Sequence, residues 1–273
     1  MKLKKHIRIK DGNQVWRILI SPLDKLIIET RNPDKKEAFF SCYNLDKGEK
    51  IFTKLQFEEK YWLGIEDIYY DIILFHRFTK PDMPGHKSII AFDIPSKKVI
   101  WENREYSFLF FYNDKIYCFR QLFEGRKFFT ISPITGEVID DLGDDVILIN
   151  ELKYLADEQK KYLNYVFPST YNNSTEANIK EIIESETSML ELSGSVEYLV
   201  WGESLFFNYH HKVLANVLEN RLIVFNMEQK RIIRSEILNS SVNAFMPDSF
   251  FMFKNYLLLL KEKKEVLVLS VSE

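Results

Sequence analysis

Histidine is scarce in this sequence, five among 273 residues, yet His210 and His211 stand side by side at the end of the apolar run "SLFFNYHHK" (204–212). Imidazole suits both proton transfer and transition-metal binding near neutral pH. Neighbouring residues on a strand point to opposite faces, so this pair cannot share one ion unless the strand has already ended. A better grouping joins residues far apart in sequence. Aligned on their apolar cores, "DKLIIETR" (24–31), "DIILFHRF" (71–78) and "ESLFFNYH" (203–210) put Glu29, His76 and Asn208 at equivalent positions, with Arg31 and His210 two residues further on. These five share one strand face in their own repeats. A carboxylate and two imidazoles can hold a metal or move a proton on a small substrate, which makes Glu29, His76 and His210 the candidate catalytic set. Arg31, Asn208 and Tyr209 are the candidate ligand-binding residues. The plainer account is that all of them are polar strand ends meeting solvent. No cofactor or metal motif accompanies them, so neither a cofactor nor a resident metal is expected.

Other chemistry lacks its local signature. The sequence has no Walker-type phosphate loop, no G-x-G-x-x-G, no C-x-x-C, no H-E-x-x-H and no G-x-S-x-G. The acidic run "IDDLGDD" (139–145) offers Asp140, Asp141, Asp144 and Asp145 as paired carboxylates, but it reads as a solvated loop and lacks EF-hand spacing. Trp62, Trp101, Trp201 and Tyr209 could stack on sugars or bases; within apolar strand patterns they read as core. Cys42 and Cys118, in separate apolar strands, read as small buried hydrophobes.

Composition bounds the rest. With 15% aromatic residues, 22 Phe and 14 Tyr, the chain favours strands over helices. Its 37 basic and 40 acidic side chains leave a net charge of -3 and no global field to draw in nucleic acid or an anionic membrane. No stretch reaches the ~18 apolar residues of a spanning helix, and the basic start lacks a signal-peptide core. A soluble, cytoplasmic monomer is expected, with no nucleic-acid or membrane partner.

The elements that must position these residues form an internal repeat. "YNLDKGEKIF" (43–52), "FDIPSKKVIW" (92–101), "ISPITGEVID" (131–140) and "FNMEQKRIIR" (225–234) align without gaps as strand, polar turn and strand. "IRIKDGNQVW" (7–16) fits the same template, placing Trp16 on Trp101, and "LSVSE" (269–273) is its first half. An upstream strand opening with an acidic or amide residue occurs five times, the remaining copies being "DKIYCFRQ" (114–121) and "NYLLLLKE" (255–262). The spacing suits four-stranded propeller blades, with N- and C-terminal strands pairing to complete one of them. One longer step contains residues 145–193, where Leu152, Leu155, Tyr162 and Leu163, then Ile179, Ile182 and Ile183, recur at helical spacing. This segment reads as a helical insertion in one blade, with an additional degenerate blade as the alternative.

The strand, turn and "VIW" repeat resembles quinoprotein-like and WD-type propellers, without the Gly-His and Trp-Asp signature or the tryptophan-docking motif. "VWRI", "IIETR", "FPSTYN", "VEYLVWGESLFFNYH" and "LIVFN" resemble an uncharacterised family of bacterial proteins of unknown function, which implies the fold and transfers no activity. The expectation is therefore an all-β propeller of five blades in a single domain over 1–273. Its expected role is non-catalytic binding of a protein or small polar ligand on a propeller face. The alternative is a hydrolase or lyase at the central channel mouth.

Overall fold

The computed structural model describes residues 1–80, 83–159 and 164–272. Tyr162 and Leu163, counted above toward a helix, lie outside these residues, as do Pro81, Asp82 and Glu273. The chain begins with β1 (Lys2–Lys10) and then builds three antiparallel sheets in sequence order. The first holds β2 (Gln14–Ile20), β3 (Lys25–Asn32), β4 (Glu37–Asn44) and β5 (Glu49–Leu55). The second holds β6 (Leu63–Tyr69), β7 (Ile72–Lys80), β8 (Met83–Asp93) and β9 (Lys98–Asn103). The third holds β10 (Ser107–Tyr112), β11 (Lys115–Gln121), β12 (Arg126–Ile131) and β13 (Val138–Gly143), followed by α1 (Val146–Gln159). These sheets and α1 belong to one compact unit, Asn13–Lys161.

Second strands are apolar on both faces because each face has its own partner. Along β7, Ile73 and Phe75 pack with Ile27, Phe40 and Cys42 of the first sheet. The alternate residues Ile72 and Leu74 pack with Ile116, Cys118 and Ile131 on the third sheet's side. Cys42 and Cys118 are both free and buried. Trp101 joins the second of these clusters and donates its Nε1–H to the Pro133 carbonyl at 3.1 Å.

The turn after each third strand is written into the repeat. Asn44, Asp93, Ser132 and Asn226 each accept, through the side-chain oxygen, the backbone N–H three residues on. One residue later, Gly48, Lys97, Gly136 and Lys230 all take positive φ, from 49° to 73°. The turn thus needs an acceptor at its first position and a left-handed residue at its fifth.

The second unit is Met1–Gly12 with Tyr162–Glu273. It contains β14 (Tyr165–Val166), β15 (Ser169–Thr170), α2 (Ala177–Thr187) and β16 (Glu197–Trp201). It continues through β17 (Ser204–Leu214), β18 (Val217–Asn226), β19 (Arg231–Val242), β20 (Phe250–Phe253), β21 (Tyr256–Lys261) and β22 (Glu265–Ser272). One sheet runs β15-β16-β17-β18-β19 and the other β1-β22-β21-β20-β14. Phe206, Leu222, Met252 and Leu257 share one core, while α2 lays Ile179 and Ile183 beside Phe207 and Tyr209 in another. The N- and C-terminal strands pair antiparallel, Ile7 opposite Val268.

Three expectations change. Ile7 sits in an outer strand beside β22, and Trp16 lies in the first strand of the next sheet, whereas Trp101 lies in a fourth strand, so the N-terminal alignment is displaced by one strand. The acidic run is strand β13 and a helix cap: Asp140 pairs with Lys115, Asp141 with Lys127, and the Asp145 carboxylate accepts the Leu148 N–H. On α1 the buried face is Ile149 and Ala156, with Leu152 packed beside them, while Leu155 is exposed. No helix among the described residues is long and apolar enough to cross a membrane.

Candidate functional site

Glu29, Arg31 and His76 lie in the Asn13–Lys161 unit; Asn208, Tyr209 and His210 lie in the other. On β3, Glu29 and Arg31 are both almost wholly buried and form an ion pair at 2.6 Å. The second Glu29 oxygen accepts the Ile65 N–H at 3.2 Å. Arg31 also donates to the carbonyls of Tyr61 and Leu63, at 3.0 and 2.7 Å, and its guanidinium lies over the rings of Trp16, Tyr61 and Phe78. Each carboxylate oxygen and each guanidinium nitrogen is thereby engaged by the protein itself.

Gly64 connects this pair to His76, its cross-strand partner. A Cβ at position 64 would stand 3.0 Å from the His76 ring and 3.2 Å from Arg31 Nη2, so only glycine lets the two side chains close over β6 without displacing either.

His76 itself faces Glu66 and His86. Its Nδ1 is 2.6 Å from Glu66 Oε2, and the Nδ1 of His86 is 2.8 Å from the same oxygen. The two imidazoles stack with centroids 3.5 Å apart and planes 9° from parallel. Two irregularities in the ladder make this possible. The β6–β7 register shifts between Ile65 and Asp67, leaving Glu66 as the extra residue of a bulge. The β7–β8 register shifts at His76, opposite Ser88 in a left-handed conformation. Bulges turn side chains out of strict alternation, and here they aim Glu66 and His76 at one another.

Burial by itself would raise the Glu66 carboxyl, but the facing imidazoles of His76 and His86 outweigh it and hold the group at about 2. Burial lowers His76 below the ordinary histidine value, with Glu66 opposing. Both directions agree on an ionised Glu66 beside a neutral His76 at neutral pH. One donor atom from each of Glu66, His76 and His86 lies within 4.8 Å of the others, the spacing of a metal-ligand group. Glu66 carries no sequence signal, because it sits in a first strand outside the repeat, and His86 closes the segment "KPDMPGH" (80–86), whose prolines and glycine suggest a loop. In fact His86 is a residue of strand β8, with Phe78 opposite it.

In the other unit the polar residues form an internal ladder. Asn208 donates to Asn220 at 3.2 Å and Asn220 to Ser249 at 2.9 Å, all three buried. Tyr209 is core. His210 is buried against Phe245, and its Nε2 accepts the Met246 N–H at 3.1 Å. His211 lies across from Glu219 on β18.

A separate groove of about 510 Å³ opens at the hairpin turns of the second and third sheets. Tyr69, Tyr70, Phe111 and Tyr112 line it together with Asp67 and Asp114, and the end of α1 contributes Ala156 and Gln159. Tyr69 stacks on Phe111 at 5.5 Å and donates its hydroxyl to Asp114 at 3.1 Å.

Among the described residues, five antiparallel sheets, three of four strands and two of five, define an all-β protein built from repeats. Residues 20–101 match the family model described as "Domain of unknown function (DUF4905)", a span containing Glu29, Arg31, Glu66, His76 and His86. No curated protein matches the chain. Among solved structures it is similar to the Dos1 propeller, at 9% identity and TM-score 0.39, over 98% of this chain and 95% of that one. The uncharacterized protein lmo1340 from Listeria monocytogenes EGD-e aligns at 10% identity and TM-score 0.34, over 97% of each chain. The β-propeller domain of the Trilobed protease from Pyrococcus furiosus aligns at 13% identity and TM-score 0.31, over 95% of this chain and 82% of that one. Likeness of this size leaves the function to be read from the chain's own residues.

Proposed function

We propose that the chain is a non-catalytic binding protein, a five-bladed β-propeller in which residues 1–273 act as one domain and 145–193 are an insertion. Five antiparallel sheets of four or five strands among the described residues, and the pairing of β1 with β22, support that architecture. The ligand is a small organic cation taken into the groove of Tyr69, Tyr70, Phe111 and Tyr112. One observation carries this reading: two carboxylates, Asp67 and Asp114, stand among four aromatic rings, and no basic side chain is among the described lining residues. Ring faces and carboxylates together favour an ammonium group. The competing reading, a hydrolase or lyase on Glu29, His76 and His210, draws little support from Glu29, whose oxygens are taken up by Arg31 and Ile65.

Saturation-transfer NMR with tetramethylammonium and with maltose tests the proposal. Transfer to the ammonium, lost in Phe111→Ala and weakened in Asp67→Asn, is expected. No transfer to tetramethylammonium, or equal transfer to both probes, overturns it.

A further inference from the structure

We propose that Glu66, His76 and His86 form a binding site for a divalent transition-metal ion, with zinc as the expected occupant. The inference is independent of the aromatic groove, which shares none of these residues.

The donor set comes first. Two imidazoles and one carboxylate are the ligands that zinc and its first-row neighbours accept, whereas calcium and magnesium prefer all-oxygen sites. All three donor atoms already lie within 4.8 Å of one another. Three protein ligands leave a further position for water or an exogenous group.

Satisfaction is the second ground. His76 is 3% exposed, yet neither of its ring nitrogens has a hydrogen-bond partner, and Glu66 Oε2 has none either. The 2.6 and 2.8 Å approaches are therefore close contacts whose N–H directions miss the oxygen. Buried polar atoms left in that condition forfeit their hydration without a replacement partner. A cation among them would satisfy Glu66 Oε2 and one ring nitrogen of His76.

Backbone geometry is the third. A bulge places Glu66, a second irregularity places His76 opposite Ser88, and Gly64 vacates the space the His76 ring needs. Arg31, which approaches Gly64 beside the His76 ring, is paired with Glu29. His86 is partly exposed and provides the way in from solvent. Around a tetrahedral ion at ~2.0–2.2 Å from each donor, the donors stand roughly 3.4 Å apart, so loading requires the contacts to widen and the two imidazoles, now stacked 9° from parallel, to splay until a lone pair of each points at the ion.

The test uses the full chain, without a histidine tag and stripped with EDTA. Zn²⁺ is titrated calorimetrically, and Co²⁺ is followed by its visible absorption. One equivalent of either ion is expected, with a rise in Tm on Zn²⁺ addition. Glu66→Gln and His86→Ala, each confirmed folded by circular dichroism, should weaken Zn²⁺ binding by at least the 10–100-fold that outer-shell losses alone produce. His86→Asn serves if the alanine variant does not fold. His211→Ala should bind like wild type. Absence of Zn²⁺ and Co²⁺ binding, undiminished binding in the Glu66 and His86 variants, or loss on His211→Ala each overturns the site.

Discussion

Glu29 and Arg31, two residues apart on β3, form an ion pair 2.6 Å long where each side chain is no more than 5% exposed. A buried pair is held against a large desolvation penalty, and removing one partner leaves the other charge uncompensated. Glu29→Gln keeps the shape and removes the charge, so it should lose about 3–5 kcal/mol. Urea unfolding should show a lower midpoint with an unchanged slope. The double variant Glu29→Leu/Arg31→Met should recover much of the loss, because no charge is then stranded. A single variant as stable as wild type would show that the pair contributes nothing.

Acid should destabilise the fold through its buried imidazoles. Burial lowers His210 from 6.5 to about 4, so between those values the unfolded chain binds a proton that the folded chain refuses. Stability is complete above about pH 6.5, falls as pH drops toward 4, and levels below it. His76 shifts in the same direction. At about 1.4 kcal/mol per pH unit, His210 contributes at most roughly 3 kcal/mol to the loss. Thermal unfolding at pH 7.5 and 4.5 should show a smaller drop in His210→Gln than in wild type. Equal drops would exclude His210 as the source.

The third-strand turns make a prediction of opposite sign. Lys97 and Lys230 hold φ of 56° and 49° at the position where Gly48 and Gly136 stand in sister repeats. A left-handed conformation costs a non-glycine residue roughly 1–2 kcal/mol, partly returned by the flexibility glycine adds to the unfolded chain. Lys97→Gly should therefore raise stability by up to about 1 kcal/mol, read as a small increase in Tm. Gly136→Ala should lower it by more, since its Cβ would fall 2.7 Å from the Trp101 ring. A destabilised Lys97→Gly would mean that the lysine side chain outweighs its backbone strain.

The second, third and fourth strands were legible in the sequence, and the first strands were not. Second strands such as Leu26, Ile27 and Ile28 are buried on both faces and give unbroken apolar runs. The turns after the third strands carry the Asn44, Asp93, Ser132 and Asn226 acceptors. First strands β2, β6 and β10 each contain a register shift, at Trp16, Glu66 and Leu109, which breaks the period of two. Glu66, one of the three residues of the Glu66–His76–His86 group, was hidden for this reason. The displaced N-terminal alignment has a related cause: β1 has the composition of a third strand but pairs as an outer one.

Arg8 and Glu265 clasp β1 to β22 through two contacts, 2.7 and 3.0 Å, across 257 positions of sequence. On the ribosome, residues 2–10 must wait through the making of every residue up to β22, about 10–50 s at ordinary elongation rates of ~5–20 residues per second, before that strand exists to receive them. The three sheets of Asn13–Lys161 have all their strands well before then. The last sheet is thus finished only as synthesis passes Ser272, and until that moment the first strand is a nascent edge in need of shelter.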